Sequence, residues 1–217
     1  MTKYKGIIFD LDGTLLDTID DLGDSMNEVL KTYNYPTFIS EEYKLKVGGG
    51  FKGLVLNSFP KGTDLDIIEE ATVLFSNIYD ERYLNKPKPY DGIDSILEEL
   101  NKMGIKMGIN SNKKDKYTNN LTDKFFKRIP FIAVYGEREG VPKKPNPTSA
   151  LEIIQLMGLK SEEVLYIGDS MVDIMTANNA GIDSVGILWG FRNHEELSKF
   201  GATYIISDAK EILSIIQ

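Results

Sequence analysis

The sequence predicts an α/β fold, with a doubly wound, mostly parallel sheet and a small all-helical domain inserted after the first strand. In the second half of the 217-residue chain, short apolar runs alternate with segments of helical periodicity. Between the first apolar run and residue 86, by contrast, the periodicity is mainly helical. We therefore expect a core domain made of residues 1–15 and 87–217 and a helical domain made of residues 16–86.

Each predicted strand is a short apolar run bounded by polar residues, glycine or proline. These runs are residues 6–9, 105–109, 131–135, 164–167, 185–188 and 204–206. Helices are predicted at residues 92–103, 114–126, 147–157 and 171–180, near Glu195, and from Ala209 onward. Pro147 suits the first turn of its helix, and Gly181 suits a helix end. Helical connections between successive strands favour parallel pairing.

The predicted insertion carries apolar residues at helical spacing, with Leu22 and Val29 on one shared face. Two prolines and the glycines at 48–53 divide this segment into several shorter helices. Residues 86–90 contain proline at alternate positions, which resists helix formation and favours an extended linker. The helical domain is therefore expected to end where this linker begins.

Composition excludes several classes of function. The net charge of −8 and the pI near 4.8 argue against a nucleic-acid or anionic-membrane surface. The absence of cysteine excludes disulfides, thiolate metal sites and a cysteine nucleophile. His194, the only histidine, stands at a predicted helix start, where a surface or capping role is expected. No apolar run reaches ~18 residues and no secretory cleavage site is evident, so we expect a cytoplasmic protein.

Polar residues cluster where the predicted strands end, at the edge where open α/β sheets bind ligands. They are Asp10 and Asp12 after the first strand, Asn110, Ser111 and Asn112 after the second, and Asp169, Ser170 and Asp173 after the fourth, with Lys143 and Lys144 in a nearby loop. Several carboxylates ionised in one crevice need a cation, and all-oxygen ligands favour Mg²⁺. Lysine and hydroxyl groups beside them favour an anion such as a phosphoryl group.

Asp10 and Asp12 are two residues apart, so in extended chain both side chains face the same way. One carboxylate could attack phosphorus and the other could serve as the proton donor and acceptor. Gly13 would allow a sharp turn, and Thr14 could hydrogen-bond near the phosphoryl oxygens. The alternative is a strand end whose acids only cap a turn, but the other polar clusters argue against it.

Four segments, FDLDGTLLDT, INSN, KKPNP and GDSMVD, resemble in order the four motifs of the haloacid dehalogenase-like (HAD) superfamily. The resemblance implies a Rossmann-like core with a helical cap inserted after the first motif. It also implies a role for each matching residue. Asp10 would be the nucleophile and a Mg²⁺ ligand, and Asp12 would be the general acid/base, with its main-chain carbonyl on the metal. Ser111 and Asn112 would bind the phosphoryl group, and Lys144 (rather than Lys143) would be the neutralising cation. Asp169 would be a metal ligand, and Asp173 would support the metal site.

The subfamily follows from finer details of the resemblance. Asp12 argues against dehalogenases and phosphonate hydrolases, which lack this acid. The DGT–LLDT segment and the late WGFRNHEEL stretch look most like phosphoglycolate phosphatases, which implies a small phosphorylated metabolite as the partner. A β-phosphoglucomutase-like mutase, a phosphatase for nucleotides, other sugar phosphates or pyrophosphate, and a silent phospho-ligand sensor are the alternatives. The oligomeric state stays open, with a monomer favoured.

Residues 48–53 satisfy the dinucleotide pattern G-x-G-x-x-G, but no convincing strand precedes them. We expect instead a flexible cap loop whose Gly49 and Gly50 amides and Lys52 ammonium contact the substrate, or a plain turn between helices. Lys113 directly follows the INSN segment and could lie near the substrate or be a solvated lysine. Trp189 and Phe191 are expected to pack rather than to bind.

Overall fold

The computed structural model describes residues 3–216. Its strands are β1 (Gly6–Phe9), β2 (Leu16–Asp17), β3 (Lys88–Pro89), β4 (Lys106–Lys114), β5 (Ala133–Glu137), β6 (Val164–Gly168), β7 (Asp183–Ile187) and β8 (Tyr204–Ile206). Six of them form an all-parallel sheet with the strand order β5-β4-β1-β6-β7-β8, and β2 and β3 form a separate two-stranded ladder. The predicted α/β class and the parallel, doubly wound sheet are confirmed.

The helices follow the predicted alternation with the strands. They are α1 (Ile19–Thr32), α2 (Ser40–Lys44), α3 (Gly50–Ser58), α4 (Leu65–Asp80), α5 (Ile93–Lys102), α6 (Asp115–Phe126), α7 (Thr148–Met157), α8 (Met171–Ala180), α9 (His194–Lys199) and α10 (Glu211–Ile216), with one 3₁₀ turn at Ser161–Glu163. Pro147 occupies the position directly before α7, and Gly181 ends α8 in the left-handed conformation. Across residues 3–216, no helix is both long and apolar enough to cross a bilayer.

The central strand β1 positions the candidate site. All four of its residues are buried, as expected for a strand covered on both faces. Phe9 pairs with Ile109 of β4 on one side and with Ile167 of β6 on the other. After β1, the chain adds β4 and β5 on one side of this strand and then β6, β7 and β8 on the other side. Open α/β sheets bind ligands at such a switch point. Asp10 therefore emerges between the ends of β4 and β6.

The chain divides into two compact units, one made of the chain up to Leu16 and from Pro89 on, the other of Asp17–Lys88. The second unit contains α1 to α4 and packs around buried aromatic rings. Phe51 meets the rings of Phe75 and Tyr79 edge-on, at centroid distances of 4.7 and 5.3 Å. Edge-to-face contacts of this kind stabilise a fold by more than the burial of their apolar surface alone.

The main difference from the sequence-based expectation concerns β4. The apolar run predicted a strand at 105–109, but β4 extends to Lys114, with a register shift against β5 between Asn110 and Lys114. The apolar pattern stops at Ile109 because the following residues are polar, while backbone pairing continues past a bulge. Ser111 therefore lies in an irregular strand end and not in a loop. The short β2–β3 pair was also not expected, because two-residue strands carry no periodicity.

Candidate active site

Three carboxylates converge at the ends of β1 and β6. Asp10 follows β1, Asp169 follows β6, and Asp173 lies in the first turn of α8. All three are buried, with residue exposures of 8, 2 and 0 %. One oxygen from each lies within 4.8 Å of the others. The strand-end argument thus places these acids together, because parallel strands deliver the residues that follow them to one edge.

Lys144 lies among these acids. Its Nζ is 2.8 Å from Asp10 Oδ1 and 2.7 Å from Asp173 Oδ1, and its side chain is 3 % exposed. The neighbouring Lys143 instead pairs with Glu137 at 3.1 Å and is partly exposed. The geometry therefore favours Lys144 over Lys143 as the cation of the site.

Asn112 fixes the backbone of Lys144. Its Nδ2 donates to the Lys144 carbonyl at 3.1 Å, and its Oδ1 accepts from the Lys144 N–H at 2.9 Å. The resemblance implies a phosphoryl ligand at Asn112, but here both ends of the side-chain amide bind the main chain. Its position in the structure is that of a brace between β4 and the lysine loop.

Both carboxylate oxygens of Asp173 are also engaged. Oδ1 accepts from Lys144, while Oδ2 accepts from the Ser170 N–H at 3.1 Å and the Ser170 hydroxyl at 2.7 Å. These bonds close a capping box at the start of α8. A side chain at Gly168 would clash, because its Cβ would lie 2.3 Å from Asp173 Cβ. Asp173 therefore orients Lys144 in addition to adding negative charge to the cluster.

The loop that follows β7 holds Asp169. The Phe191 N–H donates to Asp169 Oδ2 at 2.7 Å. A Cβ at Gly190 would lie 2.4 Å from both Asp169 Cβ and the Gly13 carbonyl oxygen, so glycine is required there. Trp189 Nε1 donates to the Thr14 carbonyl at 3.0 Å. Sequence reasoning treated these aromatic residues as packing and missed this role, although a glycine between two aromatics just after a predicted strand could have indicated it.

Gly13 and Thr14 form the turn after Asp12. Gly13 has a φ of 82°, and a Cβ there would lie 2.3 Å from Asp169 Oδ2. The Thr14 hydroxyl is buried and has no hydrogen-bond partner within residues 3–216. Ser111 is also buried, and its hydroxyl accepts from the Lys113 N–H at 3.2 Å. Both hydroxyls belong to the same unit as the acids. Within the described residues of that unit, neither of them donates a hydrogen bond.

Asp12 forms an ion pair that the sequence did not predict. Lys113 Nζ lies 3.1 and 3.0 Å from the two carboxylate oxygens of Asp12. The Lys113 side chain is 1 % exposed and that of Asp12 is 15 % exposed. Of the two readings that the sequence left open for Lys113, the solvated lysine is wrong, because its ammonium group is buried against an acid of the site.

Burial dominates the electrostatics. It raises the pKa of Asp10 to about 7; the Lys144 ammonium opposes this shift, while the charge of Asp173 adds to it. Burial, with Asp173 and Asp10 nearby, also raises the pKa of Asp169 well above its usual range. For Lys144, burial alone would lower the pKa, but Asp10 and Asp173 outweigh it and hold the pKa well above normal.

These groups fit a hard divalent cation. The acids offer only oxygen ligands, lie close together and are buried. Burial, and to a lesser extent the charges of the neighbouring acids, raise the pKa values of Asp10 and Asp169, and a bound cation would favour their ionised forms. Asp169 Oδ1 makes no hydrogen bond in the part of the chain that the structure describes, so it is available as a ligand atom.

The predicted glycine loop belongs to the other unit. Gly49 precedes α3 and Gly50 begins it, with φ values of 71° and 75°, and Lys52 pairs with Glu69 of α4. The preceding element is the helix α2, so the strand that a dinucleotide-binding turn needs is missing before Gly48. Within its own unit this segment is a left-handed turn into a helix.

The family model of haloacid dehalogenase-like hydrolases matches residues 7–187, a stretch that includes all four polar clusters. The chain belongs to this family. The HAD assignment made from the four motifs is therefore confirmed.

The curated relatives of this chain include phosphatases. It is 29% identical to the phosphoglycolate phosphatase of Vibrio parahaemolyticus, covering 98% of this chain and 96% of that protein. It is also 29% identical to the phosphoglycolate phosphatase of Pseudomonas putida, covering 98% of this chain and 79% of that protein. The prediction of an enzyme of the phosphatase class is confirmed.

Two solved structures extend the likeness to the fold. One is from Lactobacillus delbrueckii subsp. bulgaricus, with a TM-score of 0.92 and 29% identity over 99% of both chains. The other is from Haemophilus somnus, with a TM-score of 0.89 and 27% identity over 100% of both chains. Both proteins are predicted phosphoglycolate phosphatases. The likeness covers both units of the present chain.

Proposed function

We propose that this HAD hydrolase cleaves a small phosphomonoester, with phosphoglycolate as the leading substrate, through a phosphoryl group held covalently on Asp10. The observation that carries the proposal is the buried contact of Asp10 with Lys144 at the carboxyl end of the central strand. Asp10 Oδ1 also accepts the Leu11 N–H at 2.7 Å, so the carboxylate is held in one orientation. A fixed anionic oxygen beside a buried cation is the arrangement that a phosphoryl-accepting nucleophile requires.

In the first step, a carboxylate oxygen of Asp10 attacks phosphorus, and the bond to the leaving-group oxygen breaks. Asp12, two residues along the chain, supplies the proton that this oxygen takes up. In the second step, water attacks phosphorus, Asp12 accepts a proton from the water, and inorganic phosphate leaves the regenerated Asp10. Lys144 stabilises the charge on the phosphoryl oxygens in both steps, while Ser111 and Thr14 offer hydroxyl groups to the same oxygens.

Mg²⁺ would be held by Asp10, Asp169 and the main-chain carbonyl of Asp12, with Asp173 supporting the site. When bound, the ion neutralises negative charge on the phosphoryl group and so lets two anions approach each other. The closeness of three buried carboxylates to one another, with a single lysine paired to two of them, supports this assignment. Asp173 has both oxygens engaged by Lys144 and Ser170, which favours a supporting role over direct ligation.

Phosphoglycolate is the leading substrate because the similar proteins from Vibrio parahaemolyticus and Pseudomonas putida are phosphoglycolate phosphatases. The test is a panel of phosphoglycolate, a nucleoside monophosphate, a sugar phosphate and pyrophosphate, assayed with Mg²⁺ for release of inorganic phosphate. We expect the largest kcat/KM with phosphoglycolate, and no turnover when Mg²⁺ is chelated. Asp10→Asn is the control, and we expect it to fold normally and to release no phosphate.

Two results would contradict the proposal. Turnover by Asp10→Asn at the wild-type rate would remove Asp10 as the nucleophile. Movement of phosphate within a sugar phosphate, without release of inorganic phosphate, would make the enzyme a mutase.

A further inference from the structure

We propose that Lys113 is a positioning residue that holds the carboxylate of Asp12 where it exchanges protons with the leaving-group oxygen. The inference rests on the proposed function, because it takes Asp12 as the acid of that reaction. Lys113 Nζ contacts both carboxylate oxygens of Asp12, at 3.1 and 3.0 Å. A two-point contact of this kind restricts rotation of the carboxylate about its own axis.

Burial separates this ion pair from most others in the chain. The side chains of Lys113 and Lys144 are 1 and 3 % exposed, whereas the other lysines in the described ion pairs have side chains that are 30 to 78 % exposed. A buried ammonium group loses its hydration and persists only where a partner compensates it. Exposed pairs constrain their partners little. Lys113 and Lys144 are therefore the two lysines expected to fix acids in place.

The main chain of Lys113 is anchored on both sides. Its N–H donates to the Ser111 hydroxyl at 3.2 Å, and its carbonyl accepts from the Thr118 hydroxyl at 3.2 Å. A Cβ at Gly136 of β5 would lie 2.6 Å from the same carbonyl, so the neighbouring strand packs directly against it. The register shift near the end of β4 thus sets Lys113 at a fixed distance from Ser111, and through its ammonium group sets Asp12 as well.

The chemical consequence concerns the first step. The bond from Asp10 to phosphorus forms while the bond to the leaving oxygen breaks, and the proton of Asp12 passes to that oxygen. Proton transfer requires the donor within hydrogen-bond reach of the acceptor. If Asp12 loses its fixed position, an alkoxide departs without timely protonation. A nitrophenolate, which leaves readily as an anion, is affected far less.

The test is the dependence of kcat/KM on the leaving group, because kcat/KM reports only the steps up to its departure. Lys113→Met removes the ammonium group at nearly constant side-chain length. We expect kcat/KM to fall by about 10²-fold or more for an alkyl phosphate such as phosphoglycolate, the lower end of what general acid catalysis contributes. We expect an intermediate loss for phenyl phosphate and the smallest loss for 4-nitrophenyl phosphate, which is of similar size.

Lys114→Met is the matched control, since it removes the neighbouring ammonium group and should lower kcat/KM equally for all three esters, if at all. Lys113→Arg keeps the positive charge and should recover part of the kcat/KM for phosphoglycolate that Lys113→Met loses. Thermal denaturation identifies folded preparations. If Lys113→Met does not fold, the more conservative Lys113→Gln replaces it in the same three assays.

Equal losses for the three esters in a folded Lys113 variant would overturn the inference, because they would place Lys113 on the phosphoryl group or in the fold alone. Unchanged rates would overturn it as well. A wild-type enzyme that releases phosphate from none of the esters would instead contradict the proposed function itself, so the two failures are distinguishable.

Discussion

Lys143 and Lys144 are adjacent in the sequence, yet only Lys144 has its ammonium group among the buried acids. The sequence could predict that a lysine from this loop reaches the site, because the loop precedes a helix at the same edge of the sheet. The residue pattern alone does not decide between the two, whereas the resemblance to the HAD motifs favours Lys144; the structure adds the contact of Asn112 with the Lys144 main chain. The Asp12–Lys113 pair was beyond prediction, because it joins positions 101 residues apart.

At this residue scale, we predict that Lys144→Met lowers kcat by about 10²–10³-fold, because it removes a preorganised cation from the transferring phosphoryl group. Lys143→Met is the control and should lower kcat by less than about 10-fold, since exposed ion pairs contribute about 0–1 kcal/mol. Steady-state kinetics on phosphoglycolate measures both values. Comparable losses in the two variants would contradict the assignment of Lys144.

Among the elements, long helices and buried strands were predictable to within a few residues because their apolar patterns are strong. The register shift in β4 and the β2–β3 pair were not, because both depend on pairing with distant segments. In the helical unit, α1 carries a buried acid whose purpose only the structure reveals. Asp21 Oδ2 accepts the N–H groups of Asn85 and Lys86, both at 3.1 Å, and so ties the chain before β3 to this helix.

This contact leads to a prediction about pH and stability. Burial raises the pKa of Asp21 above 3.8, although its backbone hydrogen bonds oppose the shift. The folded state therefore binds the proton more tightly than the unfolded chain, and ionisation of Asp21 reduces stability as pH rises through the window from 3.8 to the raised value. Asp21→Asn keeps an acceptor oxygen but cannot ionise. We expect its free energy of unfolding, relative to wild type, to increase with pH across that window.

Urea denaturation at a series of pH values measures this difference, and other titrating groups cancel between the two proteins. Asp20→Asn, at an exposed neighbouring position, controls for the loss of one acidic charge. A relative stability of Asp21→Asn that declines with rising pH would mean that the hydrogen bonds, and not burial, dominate.

For the whole molecule, the strand order explains why so much of the site could be predicted. Parallel strands on either side of β1 deliver the ends of β1, β4 and β6 to one place, so motifs separated by more than 150 residues in the chain, such as those at Asp10 and Asp169, come together. What could not be predicted is the support for these motifs. Gly190 and Phe191 act through close main-chain approach, which leaves no periodic signal and only a weak local one, the glycine between two aromatic residues after a predicted strand.

The concentration of negative charge in the folded site predicts that Mg²⁺ stabilises the whole protein. An ion that binds the folded state alone adds about 2.7 kcal/mol at 100 times its Kd. We expect the thermal midpoint to rise with added MgCl₂ and to return when the ion is chelated. Asp169→Asn should show a much smaller rise. An equal effect of NaCl at matched ionic strength would mean that charge screening, and not a bound ion, is responsible.

The phosphoryl group should reside on Asp10 during turnover, and its location on the protein can be measured. The enzyme is mixed with phosphoglycolate and Mg²⁺, quenched in acid, and its peptides are analysed by mass spectrometry. Asp12→Asn is analysed in parallel, because loss of the acid/base group should slow hydrolysis of the intermediate. We predict one added phosphoryl group on the peptide that carries Asp10, and none in Asp10→Asn. A phosphoryl group on Ser111 would contradict this mechanism. Steady turnover by wild type and by Asp12→Asn, with no phosphorylated peptide from either, would contradict it as well.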